Sequence, residues 1–469
     1  MKIEQLYTGC LAEAAYYIES KGEVAIIDPL RETTPYIEMA EKNGAKIKYV
    51  LETHFHADFV SGHLDLAKKT GATIVYGPTA QPNFTAHVAK DGEELPLGNI
   101  KIRVLHTPGH TMESSSYLLI DENGKEHALF SGDTLFIGDV GRPDLAVKSD
   151  LSREDLAGFL FESLRNKIMT LPDDVIVYPN HGAGSACGKN MSKETWDTLG
   201  NQKKENYALR ADMTKAEFVK AVTTGLVAPP QYFPKNAVMN KMGYESIDDV
   251  LQRGLKPLSA SEFKTIADDP STLLLDTRSK EDFPNEYIKG ALFIGVDETF
   301  APWVGALISD LKTPILIVAD SGKEEEVVTR LARVGYDNAI GFLNGGMQAW
   351  KSAGFKAETM EEVVANQLAT LFETDSLHVL DVRKQSEYDS EHVVGFINSP
   401  LDSINMDYAK LDPNAKYYVH CAGGFRSVIA CSLLKRYGIN NVVNVKGGFK
   451  AIKNTSLPIS DFVEPSTML

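Results

Sequence analysis

Leu273-Leu274-Leu275-Asp276-Thr277-Arg278 returns as His378-Val379-Leu380-Asp381-Val382-Arg383, a spacing of 105 residues from Asp276 to Asp381. The echo continues. Glu281-Asp282-Phe283 aligns with Ser386-Glu387-Tyr388, Lys289-Gly290-Ala291 with Val394-Gly395-Phe396, and Leu343-Asn344-Gly345-Gly346 with Val445-Lys446-Gly447-Gly448. So long a period means duplicated domains rather than a stack of short repeats. Within each copy, short apolar runs alternate with helical patterns. That pattern predicts a small α/β domain around a parallel sheet.

The remaining half cannot belong to the same core, because 469 residues exceed what one core supports. Residues 1 to about 190 read as β-rich, with strands expected at 24–28, 47–51, 73–76, 102–105, 116–120, 127–131 and 175–178. Residues 191 to about 250 read as helical and then turn-rich, with Pro229-Pro230-Gln231-Tyr232-Phe233-Pro234 as a rigid connector. The expected domains are therefore 1–245, 246–358 and 359–469. A formal charge of −16 disfavours nucleic acid and anionic membrane surfaces as partners. No apolar run reaches membrane-spanning length, and the first residues carry no signal-peptide pattern. Four scattered cysteines do not form a disulfide framework, so a reducing cytoplasm is the expected location. A homo-oligomer is compatible with a chain of this kind.

Four segments in the first 190 residues carry metal-ligand chemistry. They are His54, His56 and Asp58 in Thr53-His54-Phe55-His56-Ala57-Asp58-Phe59; His110 in Thr107-Pro108-Gly109-His110-Thr111; Asp133 in Phe130-Ser131-Gly132-Asp133-Thr134; and His181 in Tyr178-Pro179-Asn180-His181-Gly182. Each follows an expected strand and sits beside small residues or proline, which let the backbone turn sharply. Phe59 stands where a second metal would want another imidazole, so the pattern favours one metal. Arg142, in Gly141-Arg142-Pro143-Asp144, either binds an anionic substrate group or pairs with an internal carboxylate. Cys187 lies in a small-residue loop after His181, and reads equally as a buried small hydrophobe or as a persulfide-handling thiol.

These motifs resemble the metallo-β-lactamase superfamily, whose fold is an αββα sandwich of two mixed sheets. Dinuclear hydrolases of that superfamily, such as glyoxalase II, place histidine where this chain has Phe59. The resemblance is to the persulfide dioxygenases, which manage with one metal. It implies Fe(2+), one per chain, held by His54, His110 and Asp133, with Zn(2+) as a possible substitute. Two histidines and one carboxylate leave open positions for substrate and O2. His56, Asp58 and His181 would then orient ligands and waters. Persulfide dioxygenases commonly keep a histidine at the position of Phe59 without using it as an iron ligand.

Near the end of the chain, strand Tyr417-Tyr418-Val419-His420 runs into Cys421-Ala422-Gly423-Gly424-Phe425-Arg426, and Ser427 is expected to open a helix through Tyr437. A thiol at a loop whose backbone N–H groups converge on a helix N-terminus can be stabilised as an anion, and can carry a persulfide. Gly423 and Gly424 permit the tight loop, and Arg426 adds positive charge. The pattern resembles single-domain rhodaneses with a six-residue Cys-x-x-Gly-x-Arg loop, and Asp381, Arg383 and Gly447-Gly448 also match that family. Cys431 falls in the following helix and reads as core. The first copy differs where it matters. Asp320-Ser321-Gly322-Lys323-Glu324-Glu325 puts a carboxylate where the thiol belongs, so this copy is expected to be inactive, a spacer or interface.

Taken together, the chain is identified as resembling a persulfide dioxygenase fused to tandem rhodanese-like α/β domains. The resemblance implies oxidation of a low-molecular-weight thiol persulfide to sulfite. It also implies sulfur transfer at Cys421 that forms or uses thiosulfate, in sulfide detoxification. The partners are then small molecules: persulfide or thiol, O2, and sulfite or thiosulfate. The rival readings are a zinc glyoxalase II-type hydrolase with accessory rhodanese domains, and a non-catalytic sulfur-relay protein.

Overall fold

The computed structural model describes residues 1–146, 151–189, 191–374 and 376–464. The chain divides into two compact units: Met1–Ile247 with Ala332–Gly335, and Asp248–Leu331 with the chain from Tyr336 onward.

The first unit is built on two six-stranded sheets. In the first, Lys2–Thr8, Glu13–Ser20 and Glu23–Ile27 pair antiparallel, and Lys46–Glu52, Thr73–Tyr76 and His87–Val88 continue it in parallel. In the second, Glu94–Leu97, Ile100–His106, Ser115–Ile120 and Glu126–Gly132 are antiparallel. Ile176–Pro179 then joins Glu126–Gly132 in parallel. Period-two alternation decides what each sheet buries. Ile18, Ile27, Leu51 and Val75 of the first sheet meet Ile102, Val104, Tyr117 and Phe130 of the second in one core. The opposite faces are covered by helices. Tyr17, Ile26 and Val50 pack with Tyr36 and Ala40 of Thr34–Lys42 and with Leu66 of His63–Thr70. Leu118, Leu129 and Val177 pack with Leu160 of Arg153–Ser163 and Phe218 of Lys215–Thr223. Each such buried side chain contributes roughly 1.5–3 kcal/mol. The result is the expected αββα sandwich of two mixed sheets.

The Pro229–Pro234 segment is not wholly a connector, because Phe233–Met242 is a helix with proline in its first turn. A proline there lacks only an N–H that the helix would leave unpaired, and its φ already suits the helix. This helix fixes the metal-ligand loop. Buried Asn240 donates from Nδ2 to the carbonyls of His56 (2.7 Å) and Phe59 (2.8 Å), and accepts from the Ser61 N–H (2.9 Å).

The second unit contains two five-stranded sheets with one topology. The first copy orders Pro257–Leu258, Ala339–Leu343, Ile315–Val318, Leu273–Asp276 and Leu292–Phe293. The second orders Glu361–Val364, Val442–Lys446, Tyr417–His420, His378–Asp381 and Ile397–Asn398. Every pairing is parallel. The repeated Asp-x-Arg has a physical reason. Buried Asp276 takes Arg278 through Nε (2.9 Å) and Nη2 (2.6 Å), and that guanidinium also donates to the Glu286 carbonyl. Asp381 takes Arg383 the same way, at 3.0 and 2.6 Å, with Glu391 as the carbonyl. A planar fork matched to a carboxylate can be buried only when all its donors are met, so the pair specifies the turn after this strand.

Candidate metal centre and candidate thiol site

Four loops at strand ends converge in the first unit. His54 follows Lys46–Glu52, His110 follows Ile100–His106, Asp133 follows Glu126–Gly132 and His181 follows Ile176–Pro179. One ligand atom each of His54, His110 and Asp133 lies within 4.8 Å of the others, and all three residues are buried. The Nε2 atoms of His110 and His54 stand 3.4 and 4.0 Å from Asp133 Oδ2.

The outer hydrogen bonds fix the tautomers. Thr53 Oγ1 donates its only proton to Asp28 Oδ2 (2.8 Å), so at 3.0 Å it accepts from His54 Nδ1–H. His110 Nδ1 meets the Arg142 carbonyl at 2.9 Å, and His181 Nδ1 meets the Ala12 carbonyl at 3.1 Å. A carbonyl only accepts, so each Nδ1 carries the hydrogen and each Nε2 presents a lone pair inward. Burial, followed by the neighbouring His56, His110 and His181, pushes the His54 pKa well down, which keeps the imidazole neutral. Close approach matters as well. A Cβ on Gly141 would lie 1.9 Å from the Asp133 carbonyl oxygen, so only glycine lets the Arg142 carbonyl reach His110.

A metal fits these residues. Both carboxylate oxygens of Asp133 and Asp58, and Nε2 of His181, are buried without a hydrogen-bond partner. Buried polar atoms left in that condition are costly, and a cation among them removes the cost. The donors fall into two groups around Asp133. Asp58, His181 and Cys187 form a second buried set within 4.8 Å, and His181 Nε2 lies 3.5 Å from both Asp58 Oδ2 and Asp133 Oδ1. Phe59 supplies no imidazole, but Cys187 brings a soft donor to the set of Asp58 and His181. Burial, followed by the charges of Asp58 and Asp133, pushes its thiol pKa well up.

His56 faces away from this group. Its Nε2 lies 2.9 Å from Asp28 Oδ1 and 3.7 Å from Glu52 Oε2, and its ring stacks on Phe59 with centroids 4.4 Å apart. Burial alone would lower its pKa, but Asp28 and then Glu52 hold it up at about 9. Of the two readings of Arg142, the structure has the internal pairing. Nε and Nη2 grip Asp144 at 2.6 and 2.7 Å, and the remaining donors reach the Ala186 and Val227 carbonyls. Four of its five N–H donors are thereby engaged within the protein, which leaves the anion-binding reading without support in the structure. Its carbonyl, not its charge, serves the centre. Asp28 and Glu52 were not singled out from sequence. The available signal was that each ends an apolar strand on a charge.

In the second unit Cys421 is 1% exposed at the end of Tyr417–His420. The Gly424 N–H donates to its Sγ at 3.1 Å, and the thiol lies 3.7 Å from Ser427 Oγ. The helix runs Phe425–Arg436, two residues earlier than expected, with Gly424 at its N-cap in the left-handed region. Starting early brings the N-cap N–H of Gly424 onto the sulfur. Ala422, Gly423 and Phe425 complete the loop. Arg426 is bound bidentately by Glu387 at 2.5 and 2.9 Å. Gly448 closes the back of the cradle: a Cβ there would sit 2.3 Å from the Cys421 carbonyl oxygen. Cys431 is fully buried on the helix, as expected of a core residue. Asp320, the counterpart of Cys421 in the first copy, is exposed and borders an open cleft of about 560 Å3 with Glu324 and Arg278.

Comparison with known proteins places these two sites in families. The metallo-beta-lactamase superfamily matches residues 8–181, and the rhodanese-like domain matches twice, over 259–353 and 364–455. A cytoplasmic hydroxyacylglutathione hydrolase of Arabidopsis thaliana is 34% identical over 186 residues, 39% of this chain and 67% of that protein. The chain belongs to the metallo-beta-lactamase superfamily. It also carries two rhodanese-like domains. The mitochondrial persulfide dioxygenase ETHE1 of Homo sapiens is 30% identical over 161 residues, 34% of this chain and 59% of that protein. A solved metallo-beta-lactamase from Staphylococcus aureus subsp. aureus COL is 32% identical with a TM-score of 0.63, covering 73% of this chain and 98% of that one. The chain spans 67% and 59% of the length of these two curated relatives. Among the described residues no helix is long and apolar enough to cross a membrane.

Proposed function

We propose that the chain is a non-haem Fe(II) persulfide dioxygenase coupled to a sulfurtransferase, with residues 1–245, 246–358 and 359–469 as its domains. The observation that carries this reading is the compact triad of His54, His110 and Asp133, two imidazoles and one carboxylate, in a chain that also holds Cys421 in an N–H cradle. Fe(II) held by that triad would supply open positions for a persulfide sulfur and for O2. The protein's own part is positioning. The carbonyls of Arg142 and Ala12 and the hydroxyl of Thr53 hold three rings with Nε2 inward, so no tautomer change precedes binding. The overall reaction converts RSSH, O2 and water to RSH, sulfite and two protons. Cys421 would take sulfane sulfur from a second RSSH, releasing RSH, to form Cys–S–S⁻ stabilised by the Gly424 N–H and the helix N-terminus, and pass that sulfur to sulfite to give thiosulfate and the free Cys421 thiol. Sulfide detoxification is the role this chemistry serves.

Anaerobically loaded Fe(II) protein given glutathione persulfide is expected to consume O2 and release sulfite. Hydrolysis of S-lactoylglutathione at a comparable rate, without O2 uptake, would sink the assignment. A second reading has a specific observation behind it. Asp58, His181 and Cys187 form a donor set beside Asp133, and the similar Arabidopsis protein is a hydroxyacylglutathione hydrolase. A dinuclear zinc hydrolase would bind two metals per chain. Elemental analysis giving one iron rather than two zincs separates the readings.

A further inference from the structure

The cavity at Cys421 is not made by the second copy alone. Its volume is about 360 Å3. Cys421, Phe425 and Arg426 form one wall, and Lys280, Glu298 and Trp303 of the cysteine-less first copy form the other. Several contacts hold the walls in register. Ser432 Oγ accepts the Phe293 N–H at 3.0 Å, and the Phe293 and Phe425 rings meet edge to face with centroids 6.0 Å apart. Asn405 Nδ2 donates to the Leu307 carbonyl at 3.2 Å.

The two cations on these walls are not equivalent. Arg426 is gripped in a two-point pair by Glu387, and the guanidinium and carboxylate are 18% and 34% exposed. Such a two-point fork yields to an anion less readily than a one-point pair. Lys280 meets Glu298 through a single oxygen at 2.6 Å and Glu281 more loosely at 3.9 Å; the three side chains are 30%, 42% and 72% exposed. A single-point exposed pair is weak and exchanges readily. The hydrogen bond to Glu298, opposed by partial burial and helped by the charge of Glu281, keeps the Lys280 pKa above its ordinary value, so the ammonium is charged near neutral pH. The counterpart of Lys280 in the second copy, at the same spacing after the Asp-x-Arg, is the neutral Gln385. The charge is therefore not a requirement of the repeated scaffold.

We propose that Lys280 of the first copy is a substrate-binding residue of the Cys421 site, leaving Glu298 to take the oxyanion end of thiosulfate or sulfite while the sulfur faces Cys421. The cysteine-less copy thereby sets the charge preference of its neighbour's site, a role beyond spacer or interface. This rests on the sulfurtransferase reading for its substrate. Its geometry is tested without that reading.

The test compares alkylation of Cys421 in the full chain by iodoacetate, an anion, and by iodoacetamide, its neutral analogue, read on the Cys421 peptide by mass spectrometry. In Lys280→Gln the iodoacetate rate should fall roughly five- to tenfold relative to iodoacetamide. Lys280→Arg should restore most of the ratio, and Glu298→Gln should raise it. In turnover, Lys280→Gln should raise KM for thiosulfate by a similar factor with little change in kcat. An unchanged ratio in Lys280→Gln, or an equal fall with both reagents, overturns the proposal even if sulfur transfer is intact. Absence of sulfur transfer in the wild-type protein, with the alkylation ratio responding as expected, would instead remove the sulfurtransferase reading and leave an anion site at Cys421.

Discussion

The two candidate sites treat charge in opposite ways. Around Asp133, the carboxylate oxygens of Asp58 and Asp133 and Nε2 of His181 have no partner in the protein. Around Cys421, every charged side chain has one: Arg426 with Glu387, Lys280 with Glu298, Arg383 with Asp381. The sulfur itself meets a backbone N–H. The difference teaches how each pocket is completed. A metal centre is assembled from donors left unsatisfied, and a cation completes it. An anion cradle is assembled from fixed backbone dipoles, with side-chain charges neutralised until an anion competes for them.

That contrast can be broken in four ways. The largest effect is expected from Cys421→Ser, which should lower sulfur transfer at least about a thousandfold, since a hydroxyl cannot carry sulfane sulfur. Persulfide-dependent O2 uptake should be retained. Parallel loss of both activities, measured by thiosulfate formation and an oxygen electrode, would mean that the pockets do not work separately.

Next is His56. Its folded pKa of about 9 lies above the ordinary imidazole value of 6.5. The stability it contributes is therefore full below about 6.5 and is lost as pH rises through 9, on the order of 3 kcal/mol for a buried group. In metal-free protein, denaturant midpoints of the first unit should decline across that window, and His56→Gln should flatten the decline. An unchanged slope in the variant would show that Asp28 and Glu52 do not hold a charged ring.

Metal addition should act on one pocket only. At a hundredfold excess over Kd it should stabilise the first unit by about 2.7 kcal/mol. By calorimetry the transition of the second unit should stay where it was, and equal shifts would dissolve the distinction.

The smallest effect separates the two rhodanese-like copies. Gly448 and Gly346 share a φ of +56°, yet a Cβ on Gly448 meets the Cys421 carbonyl oxygen at 2.3 Å, whereas one on Gly346 finds only the Ala319 carbonyl oxygen at 3.9 Å. Gly448→Ala should therefore cost about 1–3 kcal/mol more than Gly346→Ala. Equal midpoints would mean that the thiol loop is no tighter than its acidic counterpart.

Much of this was legible in the chain. The period-two runs placed most strands of the sandwich, and the spacing from Asp276 to Asp381 announced a duplicated parallel sheet, because side-chain alternation and a buried Asp–Arg fork are local constraints written in local residues. The strand-end positions of His54, His110, Asp133 and Cys421 were legible for the same reason. The start of the Cys421 helix was placed two residues late, because Phe425 carries no capping signal and Gly424 sets the start through its φ.

What folding alone decided lies between distant segments. The carbonyls of Ala12 and Arg142 choose the tautomers of His181 and His110, Asp28 turns His56 away, and Asp144 claims the Arg142 guanidinium. Cys187 joins Asp58 and His181 only in three dimensions, and Lys280 reaches the Cys421 cavity from the other copy. Sequence records which donors and charges exist. Their partners depend on which loops the packed sheets bring within about 3 Å, the range at which a hydrogen bond or ion pair forms.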